Sequence, residues 1–340
     1  MSVTTDAASP RPRFQNILII DFGQLGDVVL SLSALGAVRR RFPAARISVM
    51  TGKIADEVVA LSGFADDVIM VDRVTLRDGP RLRSVAEILR LVRDVRSRKF
   101  DLVVDLHSLA ETNLLAFLSG ATLRLLANRE NRSLDRLSNF RPKPPPENKS
   151  KHLSARYLDV VSPLGINAAC DPIVIRASAA DRAFVNASIF AAVEISAVGI
   201  FPGAGHPSRR WPLEKFAGLA RRIEADRMLP AVFLGPEESG MRREIETTFP
   251  SSIRVIDGLS ISQFLAATER LAAFITNDTG PMHLAACSGV PILLLLDARA
   301  PLTYLPLTDR AEIVRRDEIG LITVDEAFLA LERLMNHGLQ

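Results

Sequence analysis

The chain has 340 residues, 48% of them hydrophobic, and this length exceeds what one ordinary core accommodates, so we expect two domains. No apolar run reaches the roughly 18 residues of a membrane-spanning helix, and the N-terminus lacks a signal peptide's charged-then-apolar pattern, which together predict a cytoplasmic protein. The two cysteines, Cys170 and Cys287, lie far apart and form no cluster with histidine, which argues against a disulfide framework and against a zinc site.

The net charge of +3 is unevenly distributed along the chain. Residues 1–165 contain 25 Lys and Arg against 18 Asp and Glu, whereas residues 166–340 contain 17 against 21. The excess is concentrated in residues 77–99 and 129–151. These basic segments either face solvent or contact an anionic partner, such as an acceptor or a membrane surface. Nucleic acid is disfavoured, because few aromatic residues accompany the arginines and no base-reading motif is present.

Short apolar runs alternate with helical segments in the first half, after a tail at residues 1–13 that we expect to be disordered. The predicted strands are residues 17–20, 47–50, 68–71, 102–105 and 123–126, and the predicted helices are residues 28–41, 85–98 and 111–119. The helix at 85–98 is expected to turn its apolar residues toward the core, namely Val85, Ile88, Leu89, Val92 and Val95. The proline-rich residues 139–150 predict a loop or a mobile flap.

The second half repeats this alternation after a helix at residues 153–164. Its predicted strands are residues 197–201, 231–234, 253–256, 272–276, 292–296 and 313–314, with helices near 213–225, 240–248, 261–268 and 281–288. Such alternation is typical of α/β proteins with parallel sheets. We therefore expect two doubly wound, Rossmann-like domains, residues 14–165 and 166–322, which face each other across a ligand-binding cleft at the carboxyl ends of their strands. A final helix within residues 323–340 is a candidate to pack back on the first domain.

The most informative segment is Asn-Asp-Thr-Gly-Pro-Met-His at residues 277–283, which connects a buried strand to a helix. Pro281 falls in the first helical turn, as prolines often do. Free N–H groups and the positive end of the helix suit a phosphate. The carboxylate of Asp278 would repel a phosphate unless it binds something else, such as sugar hydroxyl groups. The alternative is that Asp278 or Thr279 simply caps the helix.

A second loop, Asp-Phe-Gly-Gln-Leu-Gly-Asp at residues 21–27, follows the first strand. Its glycine spacing is not the G-x-G-x-x-G of dinucleotide-binding loops, which argues against an NAD-dependent enzyme. Asp27 at the start of the helix either caps it or serves as a base in the cleft. His107 and His206 are loop histidines with no partner that the sequence identifies.

Two further loops follow strands of the second half. In residues 201–212 the glycines let backbone approach a ligand closely, Arg209 can reach the mouth of the cleft, and Trp211 is expected to anchor the next helix. Residues 233–238 end in two glutamates, whose carboxylates suit ribose hydroxyl groups or simply face solvent.

Together these segments resemble glycosyltransferase family 9, the ADP-heptose:lipopolysaccharide heptosyltransferases. The matching residues are Gly26-Asp27, the loop at 201–212 and above all residues 277–291, and weaker similarity at 101–106 and 118–121 fits the family's middle section. The resemblance implies the two-domain GT-B fold. It also implies inverting transfer of a sugar, foremost heptose, from an ADP-sugar to an anionic glycolipid acceptor of the lipopolysaccharide-core type at the cytoplasmic membrane surface. No cofactor or metal is expected, and the chain contains no Asp-x-Asp motif.

The resemblance also implies roles for individual residues. Asp27 corresponds to the general base that takes a proton from the acceptor hydroxyl, and the acceptor side includes Gly23, Gln24 and Gly26. The residues that correspond to the donor-binding side are Gly203, Ala204, Gly205, Arg209, Glu237, Asp278, Thr279, Gly280, Pro281, Met282 and His283. Among them, Arg209 would face the phosphates, Glu237 or its neighbour Glu238 the ribose, and Asp278 the donor sugar.

The chain departs from the family at three places. Asp21 stands where the family commonly has a cation, Arg209 replaces a lysine, and Leu-Asp-Ala-Arg-Ala-Pro at residues 296–301 replaces Phe-Gly-Pro-Thr. Two alternatives therefore stay open. One is a GT-B transferase with another nucleotide-sugar donor or glycan acceptor, and the other is a GT-B protein that binds a nucleotide sugar without catalysis.

Overall fold

The computed structural model describes residues 14–72, 81–130, 134–191 and 195–337. The expected tail at 1–13 lies outside the described residues, as do Arg77 and Arg132 of the basic segments. The described chain forms two parallel β-sheets, one in each half, with helices on both faces of each sheet.

The first sheet has five parallel strands in the order β3-β2-β1-β4-β5. The strands are β1 (Asn16–Asp21), β2 (Arg46–Gly52), β3 (Asp67–Val71), β4 (Leu102–Asp105) and β5 (Leu123–Leu126). The helices are α1 (Leu25–Arg41), α2 (Asp56–Leu61), α3 (Arg81–Ser97), α4 (Ala110–Leu118) and α5 (Leu153–Val161). The central strands β1 and β4 are almost wholly buried, as expected for strands covered on both faces.

The second sheet has six parallel strands in the order β11-β10-β9-β6-β7-β8. The strands are β6 (Ala197–Phe201), β7 (Leu229–Phe233), β8 (Arg254–Ile256), β9 (Leu271–Asn277), β10 (Ile292–Asp297) and β11 (Ala311–Arg316). The helices are α6 (Ala179–Phe184), α7 (Leu213–Ala225), α8 (Arg242–Thr248), α9 (Ile261–Thr268), α10 (Gly280–Ser288) and α11 (Val324–His337).

Each sheet has a topological switch point, where the order of strand addition reverses. It lies between β1 and β4 in the first sheet and between β6 and β9 in the second. Ligands of doubly wound folds bind beyond the carboxyl ends of the strands at such points. The α/β class and the doubly wound architecture predicted from the sequence are confirmed.

The two domains share a continuous core, in which α1 of the first packs against α10 of the second. At one edge of this interface, the carboxylate of Glu57 in α2 accepts hydrogen bonds from the backbone N–H groups of Ile261 and Ser262, at 3.0 and 2.9 Å. Glu57 thereby satisfies amides at the first turn of α9, a role usually filled from within the same domain. At another edge, Nε2 of His152 lies 2.9 Å from the carbonyl oxygen of Leu305.

The final helix packs differently from the expectation. α11 lies against α7 and the strands β9, β10 and β11 of its own domain, where Phe328, Leu331 and Leu334 are buried. The main contacts of the described part of this helix are therefore within the second domain, whereas the expectation was packing against the first domain.

The apolar residues of α3 also depart from the expectation. Leu91 and Val95 pack against the first sheet, but Val85, Ile88 and Leu89 are 54%, 44% and 57% exposed. The sheet covers only a narrow stripe of this helix, and the remaining apolar residues lie beside it on the surface. None of the helices in the described part of the chain has the length and apolar character needed to cross a membrane.

Candidate active site

Asp27 lies in the first turn of α1, just beyond the carboxyl end of β1 and beside the first switch point. Its Oδ2 accepts a hydrogen bond from the backbone N–H of Gln24 at 3.2 Å, so the side chain folds back over the loop. Burial raises the pKa of Asp27, while the Gln24 amide and the positive charges of Arg129 and Arg156 oppose the rise. A partly desolvated carboxylate of this kind is suited to accept a proton from a hydroxyl group.

The three residues expected on the acceptor side surround Asp27. Gly23 has no room for a side chain, because a Cβ atom there would lie 2.6 Å from Asp27 Cβ. Gln24 is exposed at the helix N-cap, and Gly26 faces the second domain, where a Cβ atom would lie 2.8 Å from Cδ2 of His283. The structure therefore gathers these residues in one loop around the carboxylate.

The N-terminus of α10 meets this loop from the second domain. A Cβ atom on Gly280 would lie 3.6 Å from Cβ of Leu25 and 3.7 Å from the backbone nitrogen of Gly26. Two helix N-termini, one from each domain, thus approach each other through glycines. Their partial positive charges favour an anionic ligand beside this contact.

The start of α10 carries no side-chain cap. Thr279 is the N-cap residue, with extended backbone, but its side chain makes no capping hydrogen bond, and Pro281 follows in the first turn. Asp278 uses its carboxylate for another contact, described next, so neither of these residues caps the helix. The amide groups at this helix start are therefore not occupied by either side chain, as a phosphate site requires.

Asp278 pairs with Arg209 across the second switch point. Nη1 of Arg209 lies 3.3 Å from Oδ2 of Asp278, and the two side chains come from loops after β9 and β6. Burial raises the pKa of Asp278, and the positive charge of Arg209 opposes that rise. The structure therefore brings together the cation and the acid that the sequence placed on the donor side.

Asn277, to which the sequence alone assigns no role, connects the donor-side loops. Its Nδ2 donates to the carbonyl oxygens of Pro202 and Gly203 at 3.0 and 2.9 Å, and its Oδ1 accepts the backbone N–H of Trp211 at 3.1 Å. The Asn277 side chain is completely buried. Trp211 is also completely buried and donates from Nε1 to the carbonyl oxygen of Ile322, which confirms that it anchors structure rather than ligand.

The glycine-rich loop after β6 packs against Glu238, not Glu237. A Cβ atom on Gly203 would lie 2.2 Å from Oε1 of Glu238, and one on Gly235 would lie 2.8 Å from Oε2. Burial and then the charge of Glu237 raise the pKa of Glu238. Glu237 itself is exposed, so of the two carboxylates it is Glu238 that lies against the glycine-rich loop, and the binding of a ribose by either residue stays a prediction. Ala204 is buried beside Gly203, and Gly205 is exposed at the tip of the loop.

Two residues of the α10 motif lie away from the cleft surface. Met282 is completely buried in the core that the domains share, so its side chain cannot contact a donor, contrary to the expectation from the sequence. His283 is 6% exposed and contacts the Gly26 position. Burial, with a smaller contribution from the charge of His152, lowers the pKa of His283 to about 4, so the imidazole is neutral near pH 7. Helix periodicity cannot decide which side of a helix buried on all sides faces a ligand.

The proline-rich segment at 139–150 is held against the first domain. Nδ2 of Asn128 donates to the carbonyl oxygen of Pro144 at 3.1 Å, and the backbone N–H of Glu147 donates to the carbonyl oxygen of Asn128 at 2.9 Å. The Glu147 carboxylate forms ion pairs with Arg129 and Arg156. These contacts hold both arginines near Asp27.

The segment after β10 forms part of the contact between the domains. Arg299 binds Asp297 through two side-chain hydrogen bonds, from Nε at 2.8 Å and from Nη2 at 2.7 Å, and these bonds hold the pKa of Asp297 well below its usual range. Further along, Tyr304 Oη lies 3.5 Å from Nη1 of Arg156. In place of the Gly-Pro turn expected from the family, residues 297–305 form a turn that is closed by the Asp297–Arg299 ion pair. This segment reaches α5 of the first domain through Tyr304. Among the described residues, no three His, Cys, Asp or Glu side chains converge in a group that would hold a metal ion.

The chain is similar in sequence to known heptosyltransferases. A family model described as glycosyltransferase family 9 (heptosyltransferase) matches residues 88–326, which is more than half of the chain. Lipopolysaccharide heptosyltransferase 2 of Salmonella typhimurium is 22% identical over 320 residues, which cover 88% of this chain and 87% of that protein. Lipooligosaccharide heptosyltransferase 2 of Haemophilus influenzae is 29% identical over 133 residues, and this match spans only 37% of the chain and 38% of that protein.

The fold is similar to that of a solved heptosyltransferase. The structure of Escherichia coli ADP-heptose lipopolysaccharide heptosyltransferase II superposes with a TM-score of 0.81 at 18% identity, covering 96% of this chain and all of that chain. This likeness confirms the GT-B arrangement of two Rossmann-like domains. The family match covers the second domain and part of the first, including Arg209, Glu238 and Asp278. The chain therefore belongs to glycosyltransferase family 9, the heptosyltransferase family, and is a glycosyltransferase.

Proposed function

We propose that the protein is an inverting transferase that moves a heptose from ADP-heptose to a hydroxyl group of a lipopolysaccharide-core acceptor without a metal ion. The observation that carries this proposal is the meeting of the Asp27 loop with the uncapped start of α10, beside the Arg209–Asp278 pair. A base from one domain and a diphosphate site from the other are thereby held close enough to serve one sugar. The names of the relatives from Salmonella and E. coli support the choice of donor and acceptor.

On the donor side, Arg209 and the N-terminus of α10 bind the diphosphate and stabilise the negative charge that develops as ADP leaves. These fixed positive groups do the work that a metal ion does in other transferases. Asp278, released from Arg209 by the phosphate, accepts hydrogen bonds from heptose hydroxyl groups. The Glu238 carboxylate, held against Gly203, accepts hydrogen bonds from the ribose.

On the acceptor side, Asp27 accepts the proton of the attacking hydroxyl group. The hydroxyl oxygen forms its bond to the anomeric carbon on the face opposite ADP, while the bond from that carbon to the diphosphate oxygen breaks and its electron pair leaves with ADP. The configuration at the anomeric carbon is therefore inverted. The charges of Arg129 and Arg156 favour ionised Asp27, which keeps the base ready at neutral pH.

A two-stage experiment tests the function. Thermal shifts are first compared for ADP-heptose and for UDP-, GDP- and CMP-sugars, and transfer of labelled heptose to a lipopolysaccharide-core acceptor is then measured. Stabilisation by ADP-heptose together with labelled product supports the proposal. Stabilisation by a UDP-sugar alone would replace it with a GT-B transferase of another donor. Binding without product for any acceptor would replace it with a non-catalytic nucleotide-sugar-binding protein.

We further propose that the first domain docks on the anionic, cytoplasmic face of the membrane, where a glycolipid acceptor would lie. The supporting observation is a set of large apolar side chains that are 44% to 57% exposed on α3 and α4, namely Val85, Ile88, Leu89, Leu114 and Phe117. Both helices cover the same face of the first sheet, and Arg90, Arg93 and Arg96 are exposed on α3. Exposed apolar side chains flanked by arginine suit the surface of an anionic bilayer.

Vesicle flotation tests this docking. The wild-type protein is expected to float with vesicles that contain phosphatidylglycerol. With vesicles of phosphatidylcholine alone, it should remain at the bottom of the gradient. Leu89→Ser combined with Phe117→Ser should reduce flotation at least several-fold. Leu329→Ser is the matched control, because Leu329 is 53% exposed on α11 of the second domain. Equal flotation of the double variant and the control would contradict docking through this surface.

A further inference from the structure

A second buried carboxylate, that of Asp21, lies directly behind the Asp27 loop and has no part in the transfer described above. Asp21 ends β1, and its side chain is 2% exposed. Its Oδ1 accepts the backbone N–H of Gly23 at 2.9 Å, while Oδ2 of Asp27 accepts the next N–H, that of Gln24. Two carboxylates therefore hold consecutive amides of the same loop, and Gly23 lies between them.

His107, which follows the neighbouring strand β4, lies beside Asp21. Its Nδ1 lies 3.8 Å from Oδ1 of Asp21. The loop that presents His107 is held independently, because Oδ1 of Asp105 accepts the N–H groups of His107 and Ser108 at 3.1 and 2.7 Å. Nη1 of Arg129 also donates to the carbonyl oxygen of His107 at 2.7 Å. The backbone that presents the imidazole is therefore held by contacts that do not involve Asp21.

The surroundings of Asp21 make its ionisation occur at unusually high pH. Burial raises the pKa of Asp21 to about 6, against the lowering effect of the Ser31 hydroxyl and the Gly23 amide. The negative charge of Asp27 raises the pKa further and the positive charge of Arg129 lowers it. The titratable or charged groups that interact with Asp21 from the elements packed around it are Asp27, His107, Arg129 and Tyr157, and Arg156 acts on Asp27 and Tyr157.

We propose that Asp21 is a positioning residue for the Asp27 base: it holds the loop that carries Asp27, and its ionisation, assisted by His107, makes Asp27 a stronger base. The inference rests on the proposed role of Asp27 in the transfer. A negative charge on Asp21 disfavours the ionised form of Asp27, so the gain of a proton by Asp27 during the reaction becomes more favourable. A protonated His107 favours ionised Asp21. The transfer rate should therefore rise with pH in two steps, the first from Asp27 and the second from Asp21.

The test compares pH profiles of kcat for heptose transfer. Asp21→Asn keeps the size of the side chain and its acceptor oxygen but removes the charge. We expect kcat of the wild-type enzyme to show a second rise near pH 6 and kcat of Asp21→Asn to lack it. The plateau of kcat should be roughly 3- to 10-fold lower in the variant, and its KM for ADP-heptose should be unchanged. His107→Gln should move the second rise to higher pH. Asp135→Asn is the control, because Asp135 is a half-exposed carboxylate of the same domain, paired with Lys143.

Two outcomes overturn the proposal. One is an Asp21→Asn profile that superimposes on the wild-type profile, and the other is a uniform loss at every pH with a raised KM, which a merely structural role would produce.

A substrate-free measurement separates this proposal from the proposed function. Because the pKa of Asp21 is raised in the folded protein, ionised Asp21 destabilises it, and the unfolding midpoint of Asp21→Asn should rise relative to wild type as pH increases from about 4 to about 7. A difference that stays constant over this range would overturn the buried ionisation on which the proposal depends. Wild-type enzyme that transfers no sugar from any nucleotide donor would instead overturn the proposed function. If the wild-type enzyme transfers sugar normally and the Asp21→Asn variant has the same pH profile of kcat, only the positioning role is overturned.

Discussion

Nη1 of Arg209 lies 3.3 Å from Oδ2 of Asp278, and the contact joins the loop after β6 to the loop after β9. The Arg209 side chain is 49% exposed, so the pair contributes little to stability in water. Its value is in recognition, because a cation for phosphate and an acid for hydroxyl groups are placed side by side at the second switch point. Each partner also restrains the other before a ligand arrives.

Replacement of Arg209 by alanine should weaken ADP binding roughly 10- to 100-fold, because a charge-assisted contact to the diphosphate is lost. Isothermal titration calorimetry with ADP measures the effect. Arg243→Ala is a matched control, since Arg243 is an exposed arginine of the same domain on α8. An unchanged dissociation constant for Arg209→Ala would exclude the phosphate role.

Asp27→Asn should lower kcat by roughly 10²- to 10⁴-fold, because an amide cannot accept the acceptor proton. Its side-chain oxygen can still accept the N–H of Gln24, so the loop and the affinity for ADP should change little. Single-turnover transfer and ADP calorimetry on the same preparation check both parts. Activity close to wild type would remove Asp27 as the base.

Glu238→Gln should raise the KM for ADP-heptose several-fold, because the buried carboxylate against Gly203 and Gly235 would no longer accept hydrogen bonds from the ribose at both oxygens. Glu237→Gln changes the adjacent, exposed carboxylate and should leave KM unaltered. Steady-state kinetics with varied donor distinguish the two variants. The reverse ranking would assign the ribose to Glu237 instead.

His283 should make the protein sensitive to acid. Its pKa is lowered to about 4 in the folded state, because the folded protein disfavours the protonated imidazole. The ordinary pKa of histidine in an unfolded chain is about 6.5. The protein should therefore lose stability as the pH falls from about 6.5 toward about 4. The loss amounts to about 3 kcal/mol in the free energy of unfolding. Urea unfolding of wild type and His283→Gln near neutral pH and near pH 4.5 tests this. The variant should lose less stability on acidification, and equal losses would contradict the assignment.

Glu57→Ala should destabilise the contact between the domains by about 1 to 2 kcal/mol, since two amides at the start of α9 lose their charged acceptor. Thermal unfolding should show a midpoint lower by roughly 1 to 3 °C. The exposed Asp317 offers a control, Asp317→Asn, for which no change is expected. A Glu57→Ala midpoint equal to wild type would show that solvent replaces this acceptor without cost.

Much of the fold could be predicted because its signals are local. Long apolar runs such as those of β1 and β9 have one interpretation, and the prolines and glycines around α10 mark its ends. The helices α2 and α6 were not predicted, because six residues are too few for a 3.6-residue period to be recognised.

The candidate site was harder to predict wherever it depends on contacts distant in sequence. Asp27, Arg209 and Asp278 follow from their motifs, but no periodicity tells that Glu238 rather than Glu237 faces Gly203. The role of Asn277 depends on three partners 66 to 75 positions away, and the contact of Asp21 with His107 joins neighbouring strands that are far apart in the chain. Only the strand order of the sheets reveals such pairs.

Gly26 and Gly280 approach each other closely because neither residue has a side chain. The distance between the proposed base and the donor site therefore depends on these two glycines. A single methyl group on Gly26 would lie 2.8 Å from Cδ2 of His283, so either the ring or the two facing helices would have to move. Catalytic alignment here is therefore adjustable by side-chain volume alone. Substituting Gly26 by residues of increasing volume would measure how much separation between Asp27 and the donor site the transfer tolerates. None of the proposed reacting groups would be changed.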